Sequence, residues 1–600
     1  MHLLAAQKGS LSDEGEALDL AQSPGDVLFL SAADTELAAL ARACAQGTGM
    51  RWRLANLMQL KHPLSVDTYA AKSVATTKLI VVRALGGASY FAYALEAFHA
   101  AAVDAGSKIA VLPGDERPDP ELAGFSTLDE DVRSRLLSYL AEGGTRNFAS
   151  FVEACEAIVS GEDLPPPAVP LIRAGLYWPG ASAPSVDWLR HKHFKPGRPT
   201  AAVTFYRALV QSGQTAPVDA MIEALDAAGL NALPVFVSSL KDEVSQDVVR
   251  SVFADIAPDV VINATGFAVS APGGEAKGTV LESTGAPVLQ AIFSTIARPA
   301  WEGSSQGLNS RDLAMNVALP EVDGRVLTRA VSFKAAASYD ERVETNIVAH
   351  APDRGRMDFV ARLAANWAGL RRAEAGERKV AILLANYPNR DGRIANGVGL
   401  DRPAGTIEVL KAMADAGYDV AEIPADGDAL VTRLRAGPTN AIGKARSGGE
   451  ALSLADYRAF FAALPEAVRA EVTTRWGNPE ADPFFAEGAF RLPLLLFGKA
   501  VVGIQPARGY NINPKSTYHD PDLVPPHGYF AFYAWLRQTF GVHAIVHMGK
   551  HGNLEWLPGK ALALSDGCYP EAVLAASARA LASASCSRVT RSLVTSRPIA

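Results

Sequence analysis

The run Ala201-Ala-Val-Thr-Phe-Tyr206 and the later run Ala228-Gly229-Leu-Asn-Ala-Leu-Pro-Val-Phe-Val237 enclose a helical segment at 218–227, and this stretch decides the fold. Two short apolar, β-branched runs around an amphipathic segment are typical of a strand, a helix and a second buried strand. Gly229 stands where the helix ends, at a position that favours positive φ. Because parallel strands need a crossover of this kind, the stretch predicts a βαβ unit.

The same pattern occurs twice more. It runs from Lys78 to Pro113 around a helix at 90–104, and from Val380 to Pro424 around a helix at 406–415. Further strands are predicted at Asp26–Ser31 and Pro258–Asn263. The spacing is too wide for a solenoid repeat. The sequence therefore predicts an α/β fold made of several doubly wound, Rossmann- or flavodoxin-like parallel-sheet domains joined by helical connectors.

Six hundred residues exceed what one hydrophobic core usually accommodates, so several domains are expected. Helical patterns at Leu128–Val159 and Asp353–Gly376 predict the connectors between them. We expect an N-terminal α/β domain at 1–125, a connector at 126–197, a second α/β domain at 198–345, a connector at 346–378, a third α/β region with a histidine-rich motif at 379–574, and a low-complexity tail at 575–600.

Composition excludes several classes of protein. The net charge of −7 gives no electrostatic reason to expect a nucleic-acid partner. No apolar run is long enough to cross a bilayer, so no membrane association is expected. The four cysteines form no CxxC pair, which argues against a structural zinc site or a disulfide scaffold. A reducing, cytoplasmic setting is predicted.

Loops at the carboxyl ends of parallel strands are the usual ligand sites of such folds. Arg83–Gly87 and Asn386–Arg393 are two of them, and for each a turn that simply requires glycine remains the alternative. The segment Gly437–Ala445 resembles a phosphate-binding loop, but it has one residue too many and Ala445 where Ser or Thr should be. We therefore predict no ATP site in this chain.

Histidines concentrate near the end of the sequence, where five of eleven lie between residues 519 and 551: His519, His527, His543, His547 and His551. The run ending at His547 alternates as a strand does, and glycines after it let the loop turn tightly. We expect His547, His551 and Glu555 to converge there. Imidazole and carboxylate suit a borderline divalent metal such as Co²⁺, and they also suit proton transfer. The alternative is that some of these histidines are simply buried and hydrogen-bonded.

Trp556 offers either an apolar wall beside a carboxylate or a platform for a flat ligand. Arg508 is suited to carboxylate recognition. Tyr510 and His519 add a phenol and a further imidazole to the same part of the chain.

These residues resemble a known family in four runs: Gln505-Pro-Ala-Arg-Gly-Tyr510, Tyr518-His-Asp-Pro-Asp522, Pro525-Pro-His527, and His547-x-Gly-Lys-His551-Gly-x-x-Glu555-Trp-Leu-Pro-Gly-Lys560. The pattern is similar to the large subunits of the ATP-dependent, three-component tetrapyrrole chelatases, the CobN/magnesium chelatase family. Asn386–Asn389 and Arg83 with Leu85–Gly87 fit the same pattern. Lys550 and the form Glu555-Trp556-Leu-Pro-Gly resemble the cobalt branch.

The resemblance implies insertion of Co²⁺, as substrate metal, into hydrogenobyrinic acid a,c-diamide during aerobic cobalamin biosynthesis. It also implies that Mg²⁺-ATP is hydrolysed on a separate AAA+ subunit working with an integrin-I-like subunit, and that this chain binds none. A magnesium or nickel chelatase large subunit remains an alternative, as does a non-catalytic tetrapyrrole- or metal-binding fragment.

The resemblance also assigns roles. Glu555 is the predicted proton acceptor, and His547 and His551, with Glu555, hold the metal or relay protons. Arg508 and Lys550 are expected to bind ring carboxylates while Trp556 packs against the macrocycle. The remaining predicted ring contacts are Tyr510, His519, His527, Asn386 and Asn389.

The resemblance extends to about Leu574, whereas the family continues for roughly as long again. Residues 575–600 are mostly Ala, Ser, Arg and Thr with no aromatic residue, a composition that buries little surface. We therefore expect an N-terminal half with an aberrant tail, from a truncated or frameshifted gene.

Overall fold

The computed structural model describes residues 17–114, 119–271, 278–334, 338–386, 391–395, 401–442, 448–509, 520, 522–549 and 553–576. Within these ranges three parallel or mostly parallel sheets are flanked by helices, as the sequence predicts. Among the described helices, none has both the length and the apolar character needed to cross a membrane.

The first domain holds a four-stranded, all-parallel sheet of order β2-β1-β3-β4. Its strands are β1 (Val27–Ser31), β2 (Trp52–Asn56), β3 (Leu79–Ala84) and β4 (Lys108–Pro113). Its α-helices are Asp34–Ala45, Pro63–Lys72, Ala92–Ala105, Pro120–Ala123, Glu130–Glu142 and Gly144–Ser160. The strand order places helices on both faces, so the sheet is doubly wound.

The last two helices occupy the predicted connector at 126–197, and they pack against the first sheet. Tyr139 and Phe151 share a core with Phe29 and Trp52. Gly143 separates the helices at φ 64°, and a Cβ there would lie 2.7 Å from the carbonyl oxygen of Gln211. These helices are therefore a layer of the first domain.

The second domain holds a seven-stranded sheet of order β13-β10-β9-β8-β6-β7-β5, in which both edge strands run antiparallel. Its strands are β5 (Ala174–Leu176), β6 (Thr200–Tyr206), β7 (Asn231–Val237), β8 (Val260–Asn263), β9 (Val288–Phe293), β10 (Val326–Lys334) and β13 (His350–Pro352). Its helices are Val186–Lys192, Arg207–Gln211, Ala216–Ala227, Glu243–Asp255, Arg298–Glu302, Ser310–Leu313, Leu319–Val322 and Arg354–Arg372. The helix predicted at Asp353–Gly376 packs on this sheet through Met357, Val360 and Ala364.

A hairpin of β11 (Ser338–Asp340) and β12 (Thr345–Ile347) leaves the second sheet and completes the first domain. Val343 lies in the first domain's core, and its carbonyl oxygen accepts from the Leu54 N–H at 3.1 Å. Glu344 forms a 2.9 Å ion pair with Arg53. The hairpin therefore belongs structurally to the first domain, although the sequence alone assigns most of it to the second.

The third domain holds a four-stranded sheet of order β18-β19-β14-β20 and a small antiparallel sheet of order β15-β17-β16. Its strands are β14 (Val380–Leu384), β15 (Glu450–Ser453), β16 (Phe485–Ala486), β17 (Ala489–Leu492), β18 (Leu494–Phe497), β19 (Ala500–Ile504) and β20 (Ala544–Met548). Its helices are Arg402–Asp415, Gly427–Ala436, Leu454–Ala462, Glu466–Trp476, His527–Ala534 and Tyr569–Leu574.

The strand predicted at the end of the third βαβ unit, at 416–424, is wrong. Residues 418–424 join no sheet, and the neighbours of β14 are β19 and β20. The carbonyl oxygen of Asp419 instead accepts from the Lys499 N–H at 2.8 Å in the turn before β19. The apolar run Val420–Ile423 packs beside that turn as an extended loop.

Candidate functional site

Three parallel strands of the third sheet end side by side. Leu384 at the end of β14 pairs with Ile504 of β19 and with Met548 of β20. The residues that follow these three strands therefore meet at one edge of the sheet, where α/β folds bind ligands. Asn386, Gln505 and Gly549 begin the three loops of this edge.

His547 lies at this edge, one residue before β20 ends. It pairs with Leu383 of β14, and only 5% of it is exposed. Strand alternation puts it on the same face as Ile545, against the core packed by helix His527–Ala534. The predicted strand through His547 is confirmed.

Two buried amide side chains lie at the same edge. Asn386 is 6% exposed and Gln505 is 4% exposed. Within the described part of the chain, the Oδ1 of Asn386 and the Nε2 of Gln505 have no hydrogen-bond partner. Burying such groups unpaired costs about 1–3 kcal/mol each. The Asn386 oxygen can therefore accept, and the Gln505 nitrogen can donate, a hydrogen bond from or to a ligand or water.

Residues 553–557, here called the site loop, are fastened to the third domain by Asn553. Its Nδ2 donates to the carbonyl oxygen of Pro506 at 2.9 Å, and its Oδ1 accepts from the Tyr529 hydroxyl at 2.8 Å. Leu554 and Leu557 are buried in the domain core. Sequence reasoning missed Asn553, although its position within the histidine-rich motif was a signal.

Arg508 ties the site loop to the loop after β19. Its Nη1 donates to the carbonyl oxygen of Trp556 and, at 3.2 Å, to that of Asp520. The side chain is buried, so at least part of the guanidinium serves these two loops. Ring-carboxylate binding by Arg508 stays a prediction.

Trp556 is the one large apolar side chain of the site loop that is substantially exposed, at 38%. Its backbone lies in a single turn, Leu554–Trp556, that also contains Glu555. The side chain of Glu555 lies outside what the structure describes. The role of Trp556 as a platform for a flat ligand stays a prediction.

Histidines close in sequence are separated in space. His543 lies at the amino end of β20, where its Nδ1 accepts from the Lys379 N–H at 3.2 Å, and burial with the nearby Lys379 lowers its pKa. His527 is fully buried, with Nδ1 2.6 Å from the Tyr457 hydroxyl and Nε2 3.0 Å from the Gly477 carbonyl oxygen. Burial lowers the pKa of His527 too. These contacts favour a packing role for His527 over contact with a ring.

Several predicted site residues lie outside the described residues: Asn389, Tyr510, His519, Lys550 and His551. Among the residues that are described, no three His, Cys, Asp or Glu side chains group as a metal site. The predicted set of His547, His551 and Glu555 is incomplete in that part of the chain and stays a prediction.

The loop after β3 in the first domain fits the simpler alternative. Gly86 and Gly87 take φ values of 101° and 87°, which a turn requires of glycine. Arg83 is buried, with Nε 3.4 Å from a Glu36 carboxylate oxygen and Nη2 donating to the Gly114 carbonyl oxygen at 3.2 Å.

Comparison with known proteins adds independent findings. The family described as CobN/Magnesium Chelatase matches residues 137–577. The aerobic cobaltochelatase subunit CobN of Sinorhizobium sp is 62% identical over 583 residues, which cover 96% of this chain and 46% of that protein. The protein of the same name from Pseudomonas aeruginosa is 42% identical over 581 residues, with the same coverage of 96% and 46%. A magnesium-chelatase subunit of Rhodobacter capsulatus is 28% identical over 406 residues, covering 63% of this chain and 32% of that protein.

Among solved structures, the catalytic subunit of cobaltochelatase from Mycobacterium tuberculosis superposes with a TM-score of 0.73 at 30% sequence identity. The match covers 94% of this chain and 45% of that one. The present chain thus spans about half the length of these three cobaltochelatase subunits.

Proposed function

The chain belongs to the CobN/magnesium chelatase family, and we propose that it is the N-terminal half of the tetrapyrrole-binding subunit of an aerobic cobaltochelatase. The reaction is insertion of Co²⁺ into hydrogenobyrinic acid a,c-diamide. Identities of 62% and 42% to cobaltochelatase subunits, against 28% to a magnesium-chelatase subunit, support cobalt over magnesium.

The observation that carries the proposal is the open polar edge of the third sheet. Asn386 and Gln505 bring a buried acceptor and a buried donor without partners among the described residues. Trp556 is 38% exposed on the site loop, which is held to the loop after β19 through Pro506 and Arg508. A flat ring bearing polar side chains satisfies both features, because it stacks on the indole and pairs with the amides.

Chemistry at this edge follows from what insertion requires. The metal must lose water, and the ring nitrogens must lose protons. Glu555 is the proposed proton acceptor, with His547 and His551 transferring the metal or relaying protons near neutral pH. Lys550 and Arg508 bind ring carboxylates, and Tyr510, His519, Asn386 and Asn389 orient the macrocycle, whereas His527 supports the site from the domain core.

Energy for the reaction comes, in this proposal, from ATP hydrolysed on a separate AAA+ subunit that works with an integrin-I-like subunit in the cytoplasm. The segment around Lys444 supports this division, since it lacks the Ser or Thr of a phosphate-binding loop.

The test is a titration of the chain with hydrogenobyrinic acid a,c-diamide, followed by ring absorbance and fluorescence. Saturable binding at micromolar concentration or tighter supports the proposal, provided that protoporphyrin binds at least tenfold more weakly. Absence of saturable binding contradicts a ring site within these residues. Equal binding of protoporphyrin contradicts the corrinoid assignment.

Two variants refine the result. Glu555→Gln retains ring binding but abolishes insertion when the full-length subunit and its ATPase partners are assembled, because Gln accepts no proton. His547→Asn lowers insertion, whereas His543→Asn, at the opposite edge of the same strand, serves as the matched control.

A further inference from the structure

Beyond the site loop the chain runs directly onto the second domain. Lys560 donates from Nζ to the carbonyl oxygens of Glu302 at 2.7 Å and Ser304 at 2.8 Å. The same ammonium lies 5.3 Å from the centre of the Trp301 ring. The last cation of the motif is therefore engaged by residues 301–307, here called the receiving loop.

Backbone hydrogen bonds extend this contact. The N–H groups of Ala561 and Leu562 donate to the carbonyl oxygens of Ser305 at 2.9 Å and Gln306 at 3.2 Å. A Cβ at Gly307 would lie 2.1 Å from the carbonyl oxygen of Leu562, so only glycine fits there. The receiving loop is shaped to hold this particular stretch of chain.

Further along, residues 564–576 are fixed to both domains. Glu571 is buried between two arginines of the second domain, Arg329 at 2.6 Å and Arg356. Tyr569 donates its hydroxyl proton to Glu471 of the third domain at 2.6 Å. The chain after Lys560 is therefore attached to the second domain through Glu571 and to the third domain through Tyr569.

Only a short stretch separates this anchorage from the site loop. Asn553 and Arg508 hold the site loop to the third domain, and Lys560 follows Trp556 by four residues. Four residues span at most about 14 Å, and Pro558 has its φ fixed by the ring. The position of the receiving loop therefore limits where Trp556 can lie to within this distance of Lys560.

We propose that Lys560 is a positioning residue of the ring site: by binding the receiving loop it holds the site loop where Trp556 meets the ring, which makes the second domain part of that site. The inference deepens the proposed function and rests on it for the nature of the ligand. Lys560 itself acts through the loop, since its ammonium is engaged by backbone carbonyls.

The experiment compares Lys560→Met, Lys560→Arg and Lys379→Met in the complete 600-residue chain. Lys379 is a matched control, because its Nζ also donates to a backbone carbonyl, that of Phe540 at 2.9 Å, and lies 5.7 Å from that residue's ring. It does so at the amino edge of the third sheet. Lys560→Arg retains a cation long enough to reach the carbonyl oxygens of Glu302 and Ser304.

Amide hydrogen exchange without ring tests the positioning directly. The N–H groups of Trp556 and Leu557 bond within the site loop at 3.3 Å and 3.2 Å and report its order. Lys560→Met is expected to speed their exchange about tenfold, as loss of charge-assisted hydrogen bonds implies. Lys560→Arg and Lys379→Met should exchange as the wild type does. Wild-type rates at Trp556 and Leu557 in Lys560→Met would overturn the inference.

Titration with hydrogenobyrinic acid a,c-diamide then tests the consequence for binding. Lys560→Met is expected to raise Kd about fivefold, with affinity restored in Lys560→Arg and an unchanged thermal unfolding midpoint. Equal affinity of Lys560→Met and wild type overturns the inference. If the wild type binds no ring, the proposed function fails, and the exchange result alone decides whether Lys560 positions the loop.

Discussion

The second and third sheets each carry a buried asparagine and a buried glutamine on or just after neighbouring strands, and the two pairs behave differently. In the second sheet Asn263 donates to Gln290 Oε1 at 2.8 Å, and both amides donate to the Thr265 carbonyl oxygen at 2.9 Å. In the third sheet neither Asn386 Oδ1 nor Gln505 Nε2 has a partner among the described residues. Among the described residues, the amides of the second sheet are thus paired with one another, and we call this the closed edge; those of the third sheet retain an acceptor and a donor without a partner, and we call this the open edge. We therefore propose a structural role for the buried amides of the closed edge and a ligand-binding role for those of the open edge.

The largest effect is expected at the closed edge. Asn263→Leu removes one partner of a fully bonded network and leaves Gln290 and Thr265 buried with unmade bonds. We expect a loss of about 3 kcal/mol in the free energy of unfolding. Denaturant unfolding followed by tryptophan fluorescence measures it, while ring affinity of the folded protein stays unchanged. A loss below about 1 kcal/mol would show that the network is not the stabilising unit.

Acidification should also destabilise the closed edge. His350, on the edge strand of the second sheet, is half-buried beside Lys334, and desolvation with the nearby Lys334 lowers its pKa from 6.5 to about 4. The unfolded chain therefore binds more protons than the folded one between these values. The contribution of His350 to the free energy of unfolding is fully present above pH 6.5. It falls by about 1.4 kcal/mol per pH unit as the pH drops toward 4. Unfolding measured against pH should lose this component in His350→Gln, and identical slopes in the two proteins would contradict the assignment.

At the open edge the expected effect is on binding. Replacing Asn386 and Gln505 together by leucine removes two polar atoms that have no partner among the described residues, along with Asn386 Nδ2 and Gln505 Oε1, so the free energy of unfolding should fall by less than in Asn263→Leu. Ring affinity should fall about tenfold, or about 1.4 kcal/mol, because the leucines pair with no polar group of the ligand. Parallel denaturation and ring titration separate the two quantities. A double variant that loses stability and keeps ring affinity would reverse the comparison.

The smallest effect is expected for Trp556. Its indole is partly exposed, so Trp556→Leu keeps an apolar surface but loses ring stacking, which contributes about 0.5–1.5 kcal/mol. We expect ring binding to weaken about threefold to tenfold with unchanged unfolding. Trp476, on a helix of the same domain, provides a control as Trp476→Leu. Weakening by both variants alike would point to a general loss of packing.

Local pattern was enough to predict two of the three βαβ units, since helix Ala216–Ala227 and strand Asn231–Val237 carry their own periodicity and turn glycine. The loop at 418–424 resembles a strand in its pattern, but β14 pairs with β19 and β20, which come later in the chain. Long-range partners of this kind leave no local signal.

The site shows the same division. The strand through His547 was predictable from alternation, but the separation of His527 and His543 from it depends on tertiary packing. Asn553 and Lys560 were visible in the motif, yet their partners, Pro506 and the receiving loop, lie far away in sequence. The sequence therefore indicated which residues belong to the predicted site, but it did not indicate which distant residues they contact.

The hairpin that carries Val343 and Glu344 into the first domain affects the order in which the chain acquires its structure. During translation the strands of the N-terminal sheet, at residues 27–113, are synthesised long before residues 338–347. Until then Leu54 lacks the acceptor supplied by Val343, and Arg53 lacks the carboxylate of Glu344. Domains usually fold as they emerge during synthesis, but this one is finished only by a segment translated after most of its neighbour. A recombinant fragment ending near residue 171 would lack the contacts of Val343 and Glu344 with Leu54 and Arg53. Expression of the first domain alone therefore requires that residues 338–347 be fused to it.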